Sequence, residues 1–108
     1  MSFIKTIEND IKNIIYKLGY DIDTVTLAIS NRPDLGEYQI NDAMKLAKIY
    51  KKNPREIAMS IVEELNNDKR FTNINIAGAG FINISISNDY LIECMNKTIE
   101  NVYNNIDL

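Results

Sequence analysis

The sequence predicts an α+β domain in two layers, with helices packed on one face of a small antiparallel sheet of about four strands, in the order α-β-β-α-α-β-β-α. Three observations lead there. Apolar residues recur at helical spacing in four separate stretches, and β-branched or alternating stretches lie between them. The 108 residues, 45% of them hydrophobic, supply one modest core and no second one.

Phe3, Ile4, Ile7, Ile11, Ile14, Ile15 and Leu18 are spaced as one face of a helix over residues 2–18, with lysines and acids between them and Gly19 suited to the C-terminal cap. Thr24 to Ile29 (TVTLAI) is β-branched and apolar, which predicts a strand. Asn31-Arg32-Pro33-Asp34 then carries turn chemistry, because Pro33 fixes its own φ and biases Arg32 away from helix. A short extended piece around Leu35 to Tyr38 predicts the second strand.

Asn41 is a plausible N-cap for a helix carrying Ala43, Met44, Leu46, Ala47 and Tyr50. Asn53-Pro54-Arg55-Glu56 starts the next helix with an amide cap, a proline at the first helical position and an acid three residues after the cap. Its apolar stripe is Ile57, Ala58, Ile61, Val62 and Leu65. Residues 71–86 (FTNINIAGAGFINISI) alternate apolar and polar on both sides of Gly78-Ala79-Gly80, the pattern of a β-hairpin. A last helix, capped by Ser87 or Asn88, carries Leu91, Ile92, Met95, Ile99, Val102, Tyr103 and Ile106. No repeat and no linker divides residues 1–108, so one domain is expected.

The totals exclude several kinds of chemistry. With one cysteine, Cys94, and no histidine, the chain cannot form an internal disulfide, and catalytic triads and Cys-His pairs are ruled out. Metal and redox chemistry are not expected, nor is a catalytic centre. A net charge of -3 argues against holding nucleic acid by bulk charge, so any such contact must be local. No apolar run approaches the roughly 18 to 20 residues that span a bilayer, and MSFIKTIENDIKN lacks a signal peptide's layout, so a cytoplasmic protein with no membrane partner is expected.

One local site stands out in LGEYQINDAMKLAK, residues 35–48. Gly36 permits close approach of a backbone, Tyr38 offers a flat ring, and the amides of Gln39 and Asn41 can each donate and accept, as reading the edge of an unstacked base requires. Stacking on such a ring is worth about 1 to 3 kcal/mol per base, enough to matter on an acidic domain. The plainer reading makes Asn41 a cap, Tyr38 a half-buried strand end and Gln39 an exposed amide.

Lys45, Lys48, Lys51, Lys52 and Arg55 follow, with no acid between Asp42 and Glu56. On a helix Lys45, Lys48 and Lys52 fall at i, i+3 and i+7, one face, a row able to meet phosphates beside a base pocket, or simply a solvated face. In Ala77-Gly78-Ala79-Gly80-Phe81-Ile82-Asn83 a strand follows the glycines, so the helix that a phosphate loop needs is missing. Asn83, on the face opposite Ile82 and Ile84, is a secondary binding candidate. Cys94 reads as packing, and Asp21, Asp23 and Asp34 as turn formers.

Taken in order, Gly36-Glu37-Tyr38-Gln39, Asn41, Ala43-Met44, Leu46-Ala47-Lys48, Asn53-Pro54-Arg55-Glu56-Ile57-Ala58 and the 77–83 segment resemble the N-terminal additional domain of arginyl-tRNA synthetases, class I arginine-tRNA ligases. Ala79 stands where that pattern usually has proline, and Glu37 where aspartate is frequent. The resemblance implies a domain that packs helices on a small antiparallel sheet and, in the whole enzyme, touches the outer corner of tRNA-Arg at the D-loop. It places Tyr38, Gln39 and Asn41 at the family's Tyr-Gln-x-Asn positions, facing a D-loop nucleotide. It further implies that the remaining domains of the same synthetase use ATP with magnesium to attach arginine, while these 108 residues bind no cofactor and supply tRNA recognition alone. The alternative is a free-standing α+β interaction or regulatory module with no RNA binding.

Overall fold

The computed structural model describes residues 3–30 and 34–104. Helix α1 (Phe3–Lys17) leads to strands β1 (Leu27–Ile29) and β2 (Tyr38–Ile40), helices α2 (Asp42–Tyr50) and α3 (Pro54–Leu65), strands β3 (Phe71–Ala77) and β4 (Phe81–Ile86), and helix α4 (Asn88–Asn104). The expected α+β order is thus the observed one. The four strands form one antiparallel sheet in the order β1-β2-β4-β3.

Alternation along β2 and β4 decides what the sheet buries. Tyr38, Gln39 and Ile40 stand opposite Ile84, Asn83 and Ile82 respectively. Ile40, Ile82, Ile84 and Ile86 therefore share one face, where they join Ile7, Ile11 and Ile15 of α1, Leu46 of α2, and Ile57, Ile61 and Leu65 of α3 in a single core. Gln39, Asn83 and Ser85 fall on the other face.

The ends of α1 and α3 are set locally. Gly19, at φ +96°, terminates α1 in a Schellman turn, with the Tyr20 N–H donating to Ile15 O and the Gly19 N–H to Tyr16 O. At the start of α3, Asn53 Oδ1 accepts from the Arg55 N–H at 2.9 Å. Ser87 Oγ likewise accepts from the Tyr90 N–H at 3.2 Å where α4 begins. Arg70 ties several elements together: its guanidinium lies 2.6 Å from both Asp10 of α1 and Asp68, and 5.5 Å from the Tyr90 ring of α4. The Asp68 carboxyl is held below its ordinary range by that hydrogen bond.

Two strands differ from expectation. Strand β1 begins at Leu27 rather than Thr24, because its partner β2 stops at Ile40, where the chain turns into α2 and leaves residues 24–26 nothing to pair with. Strand β2 begins at Tyr38 rather than Leu35, because residues 35–37 cross the polar face of the sheet instead. The turn expected at 31–34 lies largely outside the described residues.

Candidate nucleic-acid interface

Tyr38, at the start of β2, is half-buried and packs against the edge of the core. Asn41 follows β2 directly and is exposed. It occupies the N-cap position of α2, yet at φ -109°, ψ 1° its side chain makes no capping bond. The function expected of Asn41 as a cap is thus met by position alone, and its amide is left to solvent. Lys45 and Lys48 are exposed one turn apart on α2.

Lys52 does not continue that row. Helix α2 ends at Tyr50 because Lys51 adopts a left-handed conformation, φ 55°, and the Lys52 N–H turns back to Ala47 O. Lys52 Nζ instead lies 3.3 Å from Tyr20 Oη and 5.1 Å from the Tyr20 ring centroid. Tyr20 and Tyr50 meet edge to face at 5.0 Å, and Tyr50 Oη accepts from the Asp21 N–H at 2.7 Å. This aromatic and cationic cluster at the far end of α2 joins residues distant in sequence, which is why spacing alone did not reveal it.

Gln39 and Asn83 are both buried, at 6% and 0% exposure, so neither is an open surface reader. The reason is topological. Alternation turns Gln39 to the face away from the core, and the segment leading into β2 covers that face. Within it, Ser30 Oγ donates to Asn83 Oδ1 at 2.9 Å and Gln39 Nε2 donates to the same oxygen at 3.4 Å. Asn75 Nδ2 donates to Leu35 O at 2.7 Å, and the Glu37 N–H donates to Ser85 Oγ at 3.3 Å. Asn83 Nδ2 has no partner. Gly36 completes the cover: a Cβ there would sit 2.9 Å from the Ile84 backbone N, so the close approach that Gly36 permits is to β4. Sequence reasoning missed Ser30 and Ser85; the signal was the Asn83-Ser85 alternation, which marks a polar face but not its cover.

Desolvation by burial is the largest influence on the Asp42 carboxyl, raising it above its usual range, opposed by a hydrogen bond from the Thr26 backbone and by the Lys45 charge. The groove between α3 and β3 is lined by Glu56 and Glu63 together with Met59, Val62 and Ile76, an acidic rim unsuited to phosphate. Among the described residues no group of three or more His, Cys, Asp or Glu could hold a metal ion, and no helix is long and apolar enough to cross a membrane.

The family model described as "Arginyl tRNA synthetase N terminal domain" matches residues 3–86. The chain belongs to that family. Arginine-tRNA ligase of Thermotoga maritima is 40% identical over 98 residues, which cover 90% of this chain and 18% of the relative. That of Alkaliphilus oremlandii is 38% identical over 94 residues, 87% of this chain and 16% of the relative. The crystal structure of Plasmodium falciparum arginyl-tRNA synthetase superposes with a TM-score of 0.71 at 27% identity, over 82% of this chain and 17% of that one. The Thermus thermophilus arginyl-tRNA synthetase, at TM-score 0.69 and 18% identity over 85% of this chain and 15% of that one, shares the fold. This arginyl-tRNA synthetase N-terminal domain therefore spans less than a fifth of the length of these relatives.

Proposed function

We propose that this domain recognises tRNA-Arg for an arginyl-tRNA synthetase, contacting the D-loop, and that the ATP-dependent attachment of arginine is carried out by other domains of such an enzyme in the cytoplasm. The observation that carries the reading is the uncommitted, exposed amide of Asn41, standing between the half-buried Tyr38 ring and the exposed Lys45 and Lys48. A base stacked on Tyr38 would gain about 1 to 3 kcal/mol, and the Asn41 amide would read its edge or hold its sugar. Lys45 and Lys48 would meet the flanking phosphates, with Lys52 at the far end of α2. Gln39 and Asn83, beneath the covering segment, would serve this site by fixing β2 against β4 rather than by touching RNA first.

The test is an NMR titration of the ¹⁵N-labelled chain with a D-arm hairpin of tRNA-Arg at low salt, with an unrelated hairpin of equal length beside it. Shifts centred on Tyr38, Asn41, Lys45 and Lys48, given by the cognate hairpin alone, are expected. Equal shifts with both hairpins would reduce the site to a non-specific cationic patch, and no shifts would favour an interaction module without RNA binding.

A further inference from the structure

Lysine charges on this surface are held in two ways. Lys17 and Lys97 lie against carboxylates, Glu64 at 3.2 Å and Glu93 at 3.5 Å, which neutralise them. Lys52 is held by a neutral group: its Nζ donates to Tyr20 Oη at 3.3 Å and stands 5.1 Å from the centre of the Tyr20 ring. No carboxylate among the described residues pairs with it, so its charge is ordered without being cancelled.

The tyrosine is itself fixed. Its ring packs against the core and meets Tyr50 edge to face at 5.0 Å, while Tyr50 Oη accepts from the Asp21 N–H at 2.7 Å. The Tyr20 hydroxyl therefore stands at a set place, and an ammonium bonded to it loses much of the rotamer freedom of a free lysine side chain. Asp21 and Asp23 are exposed in the segment that follows Tyr20. A mobile Lys52 would be drawn to such acids, and Tyr20 keeps it in a bond with an uncharged group instead.

Lys52 also has a definite place relative to the exposed amide of Asn41. The nine residues of α2 that lie between them extend about 14 Å. A stacked strand advances about 3.4 Å per nucleotide, so the two ends of the helix meet different nucleotides. We propose that Tyr20 is a positioning residue: it holds Lys52 ready for a backbone phosphate of the RNA, at a second grip one helix length from the base site. An anion is the ligand this arrangement fits, because a pre-ordered ammonium can meet phosphate oxygens without first leaving a carboxylate. The inference rests on the proposed D-loop contact and adds that the ordering of Lys52, beyond its charge, sets the strength of the grip.

A double-mutant cycle tests it, read by the same hairpin titration over a series of salt concentrations. Lys52→Gln should weaken cognate binding about fivefold and lower the slope of log affinity against log salt by about 0.7 to 1. Tyr20→Phe keeps the ring and its packing but removes the hydroxyl. It should weaken binding about threefold with the slope unchanged, because the phosphate contact still forms but a free side chain must be ordered to make it. In the Lys52→Gln background Tyr20→Phe should have no further effect. Lys69→Gln, the same loss of charge at the turn between α3 and β3, should leave the slope as it is. A Tyr20→Phe chain that binds as the parent does overturns the inference, and so do equal losses in both backgrounds. If Asn41→Ala removes the cognate shifts in either case, the D-loop reading still stands. A parent chain that gives no cognate shifts overturns the two together.

Discussion

Asn41 and Asn53 stand at the entrances of successive helices, and the two entrances are built differently. At α3 everything turns inward: Asn53 Oδ1 accepts from the Arg55 N–H, Pro54 packs against Gly80, and Arg55 Nη1 donates to Gly78 O at 2.7 Å, locking the helix to the β3-β4 hairpin. At α2 the support comes from behind. The backbone of Thr26 reaches the Asp42 carboxylate and Gly36 presses on β4, while the Asn41 amide itself holds nothing. A cap that is made contributes stability; a residue at the cap position that leaves its bond unmade is free for a ligand. The difference teaches where on this domain to look for binding.

Gly36→Ala should break the α2 side most severely. Its Cβ would meet the Ile84 backbone N at 2.9 Å, O at 3.0 Å and Asn83 C at 3.1 Å, and strand backbone cannot yield as a side chain does. A loss of about 3 kcal/mol in urea unfolding is expected, and a neutral result would show that the 34–37 segment can lift from the sheet. Gly80→Ala is the counterpart at α3, where φ is +154° and Pro54 carbon and oxygen atoms lie 3.2 Å from the added Cβ. The expected loss is about 2 kcal/mol. Asn53→Ala removes a made cap and should cost about 1 kcal/mol, read as a lowered melting temperature.

Much of this was legible in the sequence, and the line between legible and hidden is a physical one. The α3 entrance is local chemistry, with amide, proline and acid within four residues, so Asn53 could be named as a cap from its neighbours. Asn41 looks equivalent by residue type, but its ψ near 0° comes from how β2 runs into α2, which no short window contains. The alternation of Ile82, Asn83, Ile84 and Ser85 gives two faces, yet whether the polar one meets water depends on Ser30 and Leu35, some fifty residues away. The row of lysines assumed helix through residue 52; a lysine at positive φ, with no glycine to announce it, ended that row at 51.

Smaller effects refine the comparison. Burial raises the Asp42 carboxyl, so the folded chain favours the protonated form, and the stability this gives is present below the unfolded value near 3.8 and lost as pH rises through the higher folded value. Asp68 has the opposite sign: lowered by Arg70, it contributes stability above that unfolded value and loses it as pH falls through its own lower one. Asp42→Asn should therefore leave stability at neutral pH unchanged or higher by a few tenths of a kcal/mol, whereas Asp68→Asn lowers it. Urea midpoints at pH 3, 5 and 7 separate the two. Equal responses would mean that burial does not outweigh the Thr26 hydrogen bond and the Lys45 charge at Asp42.

Asn41→Ala carries the smallest stability effect and the most information. With no capping bond to lose, the variant should unfold within about 0.5 kcal/mol of the parent. If the amide meets the D-loop, the same substitution should remove the cognate shifts at Tyr38 and Lys45, while Asn53→Ala, less stable by about 1 kcal/mol, keeps them. Gln39→Ala then asks whether the buried amide acts on RNA or on the fold: a loss of stability with binding proportionate to the folded fraction assigns it to the β2-β4 register, through Asn83. A stable Gln39→Ala chain that no longer shifts with the hairpin would instead mean that residues 35–37 move off the sheet when RNA arrives, bringing Gln39 and the unpartnered Asn83 Nδ2 within reach of a base.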